Sequence, residues 1–343
     1  MKKRNTWIAF GVLGFAGFVI LAMVFWPRPR LLLPLSHRVI PPLKFSSDTN
    51  DLAWISDHTA LIFRKDKNGK NQVTRLNLTT LTNLPDDKLT ELYQKSSGIP
   101  TVFPSPDGQW LLWHGYKGKD LYLAATDGTH YSAFPVPHGQ KTSWLDNRHW
   151  ISNTKYLSEN DTLNSKVYSV DDPQHPQIRS AFNLSNLPDY SNIAFLDQEH
   201  FLSDDWQQGE AAAIITVTEF EVGDAHRPLN TTKIPLPKND LVYTVSYSPR
   251  AERIAFLLLR NRLEPISELI HRLISSYAIK TNTVVSLYVC NRDGKEMKEI
   301  GMIMSASGAT AADELDIDSL RWFPDGKQLS YAYKGEVYTV LID

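Results

Sequence analysis

Cysteine is almost missing from this chain of 343 residues. Cys290 is the one instance, so no internal disulfide can form. That fits a reducing compartment, or an exported protein that does not rely on disulfides. A single thiol cannot build a thiolate metal cluster either. An excess of charge is also missing. Lys and Arg number 36 against 38 Asp and Glu, a formal net charge of -2. The basic surface that nucleic acid demands is therefore not indicated. Catalytic signatures are absent as well. There is no H-E-x-x-H pair, no G-x-S-x-G elbow, no P-loop and no dinucleotide fingerprint. On these grounds no cofactor, no metal, no catalytic residue and no nucleic-acid partner is expected.

Long apolar runs are scarce, with one exception. "WIAFGVLGFAGFVILAMVFW", Trp7 to Trp26, has no charge and no proline. At about 1.5 Å per residue, 20 residues span roughly 30 Å, the thickness of a bilayer core. A cleaved signal peptide has a shorter apolar core and a small-residue cleavage site. The run therefore predicts a transmembrane signal-anchor over 7–26, with the bilayer as a partner. Residues 1–6 read as a short cytoplasmic N-terminus and 27–36 as a Pro/Arg-rich tether. Lys2, Lys3 and Arg4 against Arg28 and Arg30 favour a single-pass protein with an exported, periplasmic or extracellular body, by a narrow charge margin that leaves a cytoplasmic-facing propeller as the alternative.

The remainder, 37–343, repeats one pattern. "SPDGQWLLW" (Ser105–Trp113), "SPRAERIAF" (Ser248–Phe256) and "FPDGKQLSY" (Phe323–Tyr331) align. Each has a downstream partner: "DLYLAATDG", "SLYVCNRDG" and "EVYTVLID". Proline fixes φ and Asp-Gly turns the chain, so each unit reads as strands joined by tight turns. Cys290 falls where Ala124 does, the place of a small core residue. Aromatic anchors recur at Trp54, Phe103, Trp144, Phe195, Tyr247 and Trp322, with spacings of 49, 41, 51, 52 and 75 residues. Units of about 40–50 residues made of short strands mark a propeller. Six anchors predict an all-β, six-bladed β-propeller. Only 21 residues follow Trp322, too few for four strands. The missing one is expected from about 37–46, which would close the ring.

The pattern F-x-S-P-D-G-x-x-L…D-L-Y-L…D-G resembles the repeat of the TolB-type, WD40-like six-bladed propeller family. It is clearest at 103–128, 246–256 with 286–294, and 321–343. The resemblance implies the fold, and binding of proteins, peptides or sugars. It implies no particular activity, because the peptidase domain and the separate N-terminal soluble domain of well-known members are not found.

The 75-residue spacing has a local source. Pro106 to Tyr122 is 16 residues, whereas Pro249 to Tyr288 is 39. The excess, an insertion at about 260–284 in blade five, contains "EPISELIHRLISSYAIK". Ile266, Leu269, Ile270, Leu273, Ile274 and Tyr277 form a helical stripe. An amphipathic helix of about 12–14 residues is predicted there. Its stripe either packs on its own blade or docks a partner or the bilayer surface. "DDWQQGE" is a second candidate for recognition, with Asp204, Asp205 and Trp206 in a loop after a strand. The reading that follows is a membrane-tethered binding or scaffolding propeller, an accessory protein-interaction subunit of a cell-envelope complex. The alternatives are a hydrolase or lyase acting on sugars or peptides in the central channel, and a short-stalk sensor working through a partner.

Overall fold

Short runs of aromatic and β-branched residues between tight turns cannot bury two faces alone. In this chain they stack as blades around an axis. The computed structural model describes residues 37–38, 50–66, 68–96, 101–115, 120–135, 140–154, 166–175, 177–178, 193–197, 199–206, 214–221, 224–236, 240–263, 281–304 and 315–342. These hold six four-stranded antiparallel sheets. The chain enters with β1 (His37–Arg38). Blade one is β2 (Asn50–Ser56), β3 (Thr59–Lys65), β4 (Asn71–Asn77) and β5 (Thr82–Pro85). Helix α1 (Asp87–Gln94) follows. Blade two is β6 (Val102–Pro104), β7 (Trp110–His114), β8 (Asp120–Ala125) and β9 (Tyr131–Pro135). Blade three is β10 (Gln140–Trp144), β11 (His149–Thr154), β12 (Lys166–Ser169) and β13 (Gln177–Ile178). Blade four is β14 (Ile193–Phe195), β15 (His200–Asp205), β16 (Ile214–Glu221) and β17 (Asp224–Pro235). Blade five is β18 (Leu241–Tyr247), β19 (Arg253–Leu263), β20 (Thr281–Asn291) and β21 (Lys298–Met304). Blade six is β22 (Leu315–Trp322), β23 (Gln328–Tyr333) and β24 (Glu336–Leu341), with β1 as its outermost strand.

The last sheet runs in the order β1-β24-β23-β22, with His37 opposite Thr339 and Arg38 opposite Tyr338. The outer strand of blade six thus comes from the start of the described chain. The seam does not rest on those two residues alone. Trp54 of blade one stacks on Phe323 of blade six at 3.9 Å, and its indole N–H donates to the Ser330 hydroxyl at 2.8 Å.

The core lies between blades, not within them. Leu329, Tyr331 and Tyr333 on one face of β23 pack with Ala255, Leu257 and Leu287 of blade five. Ala332 on the other face packs with Leu52, Trp54 and Ile62 of blade one. Equivalent clusters join blades one and two, two and three, three and four, and four and five. Cross-strand aromatic pairs stiffen the second and third strands of five blades. Trp113 faces Tyr122, Trp150 faces Tyr168, Phe201 faces Phe220, Phe256 faces Tyr288 and Tyr331 faces Tyr338. Their ring centroids lie 5.2 to 5.7 Å apart, the range in which stacked pairs add to area burial.

The one helix among the described residues stands between blades one and two, not in blade five. Asp86 caps it by accepting from the Leu89 amide at 3.1 Å. The helix solves an edge problem. β5 pairs only with residues 74–77 of β4, leaving the rest of that edge open. Thr90 bonds the Val73 amide and carbonyl, at 2.9 and 3.2 Å, and Gln94 donates to the Asn71 carbonyl at 3.1 Å. Helical side chains thus finish what a longer outer strand would have done.

Two expectations change here. The helical insertion expected at about 260–284 is in part strand. In blade two the hairpin beyond the Trp113–Tyr122 pair continues one residue pair further, to His114–Leu121. In blade five it runs on from Phe256–Tyr288 to Leu263–Thr281. Residues 264–280, including Ile266, Leu269, Ile270, Leu273, Ile274 and Tyr277, lie outside the described residues; among the described residues the fold is an all-β propeller whose one helix is α1. The membrane assignment is also corrected. Residues 1–36, with the transmembrane helix expected over 7–26, lie outside the described residues. Among the described residues no helix is long and apolar enough to cross a membrane. α1 has eight residues, a rise of about 12 Å against the roughly 30 Å of a bilayer core. A membrane anchor, a bilayer partner, a single-pass topology and a periplasmic location are therefore not assigned.

Candidate functional site

Every blade contributes its innermost strand to the axis. Each of these strands is the terminal strand of its sheet, so alternate backbone groups face the channel without a ladder partner. At one end, where β2, β6, β10, β14, β18 and β22 finish, a cavity of about 500 Å3 opens among them. The six aromatic anchors, Trp54, Phe103, Trp144, Phe195, Tyr247 and Trp322, all line it. Their spacing along the chain is the angular spacing of the blades around the axis.

The anchors are staples as much as walls. The Trp144 indole N–H of blade three donates to the Phe103 carbonyl of blade two at 2.9 Å. The Trp322 indole of blade six donates to the Ser246 carbonyl of blade five at 3.2 Å. Trp54 of blade one reaches back to Ser330 of blade six. Each tryptophan ties its own blade to the preceding one, satisfying a polar N–H that burial would otherwise orphan. Tyr247 sits beside Asp204, and burial foremost, with that carboxylate, pushes its hydroxyl pKa well up. It is held neutral.

Between the anchors most of the wall is apolar or hydroxyl-bearing. Thr101, Ser143 and Ser246 line it together with Pro104, Pro249 and Pro324. Among the described residues lining the cavity, Arg321 is the one charged side chain. Arg321 is 34% exposed and its guanidinium lies 3.5 Å from Asp51. Asp51 is buried at the junction of three blades. It accepts from its neighbour Leu52 at 2.8 Å and from Val102 of blade two at 2.5 Å. Burial pushes its carboxyl above the usual range, against the opposing pull of Arg321 and the two amides. Asp51 is thus a support that holds Arg321 from behind the wall.

A second cavity, about 700 Å3, opens between blades four and five. Asp197, Glu219, Glu252 and Asp293 share its walls with Arg250 and Arg292. Both signs of charge line it, and no group of three metal-ligating side chains exists among the described residues.

The loop candidates read differently in three dimensions. Asp204 and Asp205 belong to β15, paired with Val217 and Thr216, so these two residues are strand rather than loop; Trp206 follows the strand, and 207–210 lie outside the described residues. Asp204 and Trp206 are buried; only Asp205 is exposed. Cys290 is buried, and burial pushes its thiol up to about 12, the state of a core residue rather than a nucleophile. Arg321 and Asp51 were missed by sequence reasoning. Arg321 lies directly before an anchor and Asp51 three residues before another, a hint that only alignment of all six anchors could have raised.

No family model matches this chain, and no curated protein is similar to it. Solved structures are similar to it at low identity. U3-55K aligns at 12% identity over 88% of this chain and 98% of that one, with a TM-score of 0.47. An oligogalacturonate lyase in complex with manganese aligns at 10% identity, covering 83% and 86%, with a TM-score of 0.42. TolB from Acinetobacter baumannii aligns at 13% identity, covering 75% of this chain and 54% of its own, with a TM-score of 0.40. None of these bears on function. The TolB-type expectation is corrected on the first of these findings: with no family model matched, membership is not assigned, and the likeness to WD40- and TolB-type propellers is a distant one of fold. The architecture rests on the six sheets themselves.

Proposed function

We propose that this chain is a binding propeller that recognises a partner at the channel mouth on the anchor side, without chemistry of its own. The observation that carries this reading is the lining of the cavity. General acid–base or nucleophilic catalysis needs titratable groups converging within hydrogen-bond reach of a common atom. The described wall offers aromatic rings, prolines and hydroxyls with the single charge of Arg321. Such a wall suits recognition: apolar surface with few placed polar groups, in a volume within the roughly 300–1,000 Å3 of ligand pockets.

The test is a photo-crosslinking amino acid placed at Thr101, which is exposed at the mouth, and separately at Lys233, exposed on the outer strand of blade four. In native extract, a discrete covalent adduct at Thr101 and none at Lys233 supports the reading. Steady turnover of a glycoside or peptide substrate panel, abolished by Arg321→Gln, overturns it in favour of an enzyme.

A further inference from the structure

We propose that Asn68 is a modification site: its carboxamide cyclises onto the Gly69 amide, and the isoaspartyl residue that results loosens helix α1. The site is the hairpin between β3 and β4. β2 ends at the channel mouth and β3 runs antiparallel to it, so this hairpin lies at the far end, independent of the binding reading above.

Asn68-Gly69 is the one Asn-Gly pair in the chain, and four Asp-Gly pairs stand beside it for comparison. All five glycines hold positive φ, from +67° to +75°. All five of their amides donate to the carbonyl three residues back, at 2.8 to 3.0 Å. The side chains differ. Asp107, Asp127, Asp293 and Asp325 each accept from the amide two residues on, at 2.8 to 3.1 Å. They are also carboxylates, which resist attack by a nitrogen. In the blade-one hairpin Asp66 has the accepting role instead, taking the Asn68 and Lys70 amides, both at 2.8 Å. The exposed Asn68 carboxamide makes no hydrogen bond among the described residues. Room differs too. A Cβ on Gly108, Gly128, Gly294 or Gly326 would meet another atom at 1.8 to 3.6 Å, whereas at Gly69 nothing lies within 4 Å. The tip of this hairpin is free to bring the two groups together.

The Gly69 nitrogen, its proton taken by hydroxide, bonds to Asn68 Cγ. The carbon–nitrogen bond of the carboxamide breaks, and ammonia leaves with a proton from water. A second water opens the succinimide at one carbonyl or the other, giving aspartate or isoaspartate. In isoaspartate the main chain runs through Cγ and is one atom longer. That length does not fit a turn closed by Asp66 and Lys70 at 2.7 Å. The next pair is Lys65 with Asn71. Asn71 holds the end of α1: its side chain donates to the Tyr93 and Ser96 carbonyls at 3.1 and 2.9 Å, and its carbonyl accepts from Gln94.

The experiment ages the full chain at mildly alkaline pH and maps its peptides by mass, with isoaspartate labelled by an isoaspartyl methyltransferase. Conversion is expected at Asn68, with no isoaspartate at the four Asp-Gly pairs. An unconverted Asn68, or isoaspartate at the Asp-Gly pairs as fast as at Asn68, overturns the site. Amide exchange over 87–96 is then compared in fresh and aged protein. The aged isoaspartyl fraction is expected to exchange about fivefold faster there, the scale of one lost hydrogen bond. Asn68→Asp, which adds the charge without the extra atom, is expected to match fresh protein. Asn68→Gln is expected to show no change on ageing. Unchanged exchange in the isoaspartyl fraction, or equal acceleration in Asn68→Asp or in aged Asn68→Gln, overturns the link to α1.

Discussion

Blades two and six turn between their innermost and second strands by one chemistry, and blades three and four by another. In blade two the turn is Pro106-Asp107-Gly108, with Gly108 at φ +69° donating to the Ser105 carbonyl at 2.8 Å. Blade six repeats it with Gly326 at φ +67° donating to Phe323 at 2.9 Å. Blades three and four carry no glycine here. Asp146 accepts from the Arg148 and His149 amides, both at 2.7 Å, and meets the His149 ring at 2.9 Å. Asp197 does the same for Glu199 and His200, at 2.6 and 2.8 Å, with the His200 ring at 3.0 Å. A carboxylate that gathers two amides substitutes for a residue that can turn left-handed. Blade five shows the cost of having neither, since Ala251 holds φ +51°. A repeat search keyed to Asp-Gly therefore sees blades two and six and underrates three and four, although all do the same work beside the same channel.

The largest effect expected tests whether the two Asp-Gly turns are equivalent. A Cβ on Gly108 would lie 1.8 Å from the Ile55 carbonyl oxygen of blade one, whereas on Gly326 the nearest atom is 3.6 Å away. Gly108→Ala adds a forced shift of blade one to the left-handed penalty, about 3 kcal/mol or more in all. Gly326→Ala incurs the backbone term alone, about 1–2 kcal/mol. Urea midpoints of the two variants check this, and equal midpoints would break the distinction. Next in size, Asp146→Ala removes the carboxylate oxygen that accepts from two amides and is expected to cost about 1 kcal/mol, in the range of lost caps. A loss near zero would mean that the carboxylate does not replace the glycine. The smallest effect is in pH. The hydrogen bond to Asp197 foremost raises the His200 pKa. The ring's contribution is thus fully present below its unfolded value of about 6.5 and fades as pH rises through the raised folded value. An NMR titration should find His200 above that reference value and should see it fall in Asp197→Asn, while the glycine turns show no such dependence.

Much of the architecture was legible in the sequence, because the propeller is a repeat of local structure. The anchors marked the blades, and the alignment of Cys290 with Ala124 marked a core position. α1 was not foreseen, although Asp86 followed by Leu89, Leu92 and Tyr93 at helical spacing carried the signal. Its reason for being is the open edge of β4, which no local pattern reveals. The candidate site was less legible still. Asp204 read as loop until its pairing with Val217 placed it in β15, and Trp206 is buried directly after that strand.

By itself the sequence determined the strands, their turns, the absence of a disulfide and the period of about one aromatic anchor per blade. These follow from local propensity and from apolar faces that must find a neighbour. Only the tertiary structure decided that the six anchors converge on one cavity and that Arg321 meets Asp51, 270 positions away in the chain. That meeting exists because the ring closes, setting blade six against blade one. Closure is a property of the summed geometry of all the blades, so no single stretch of residues records it.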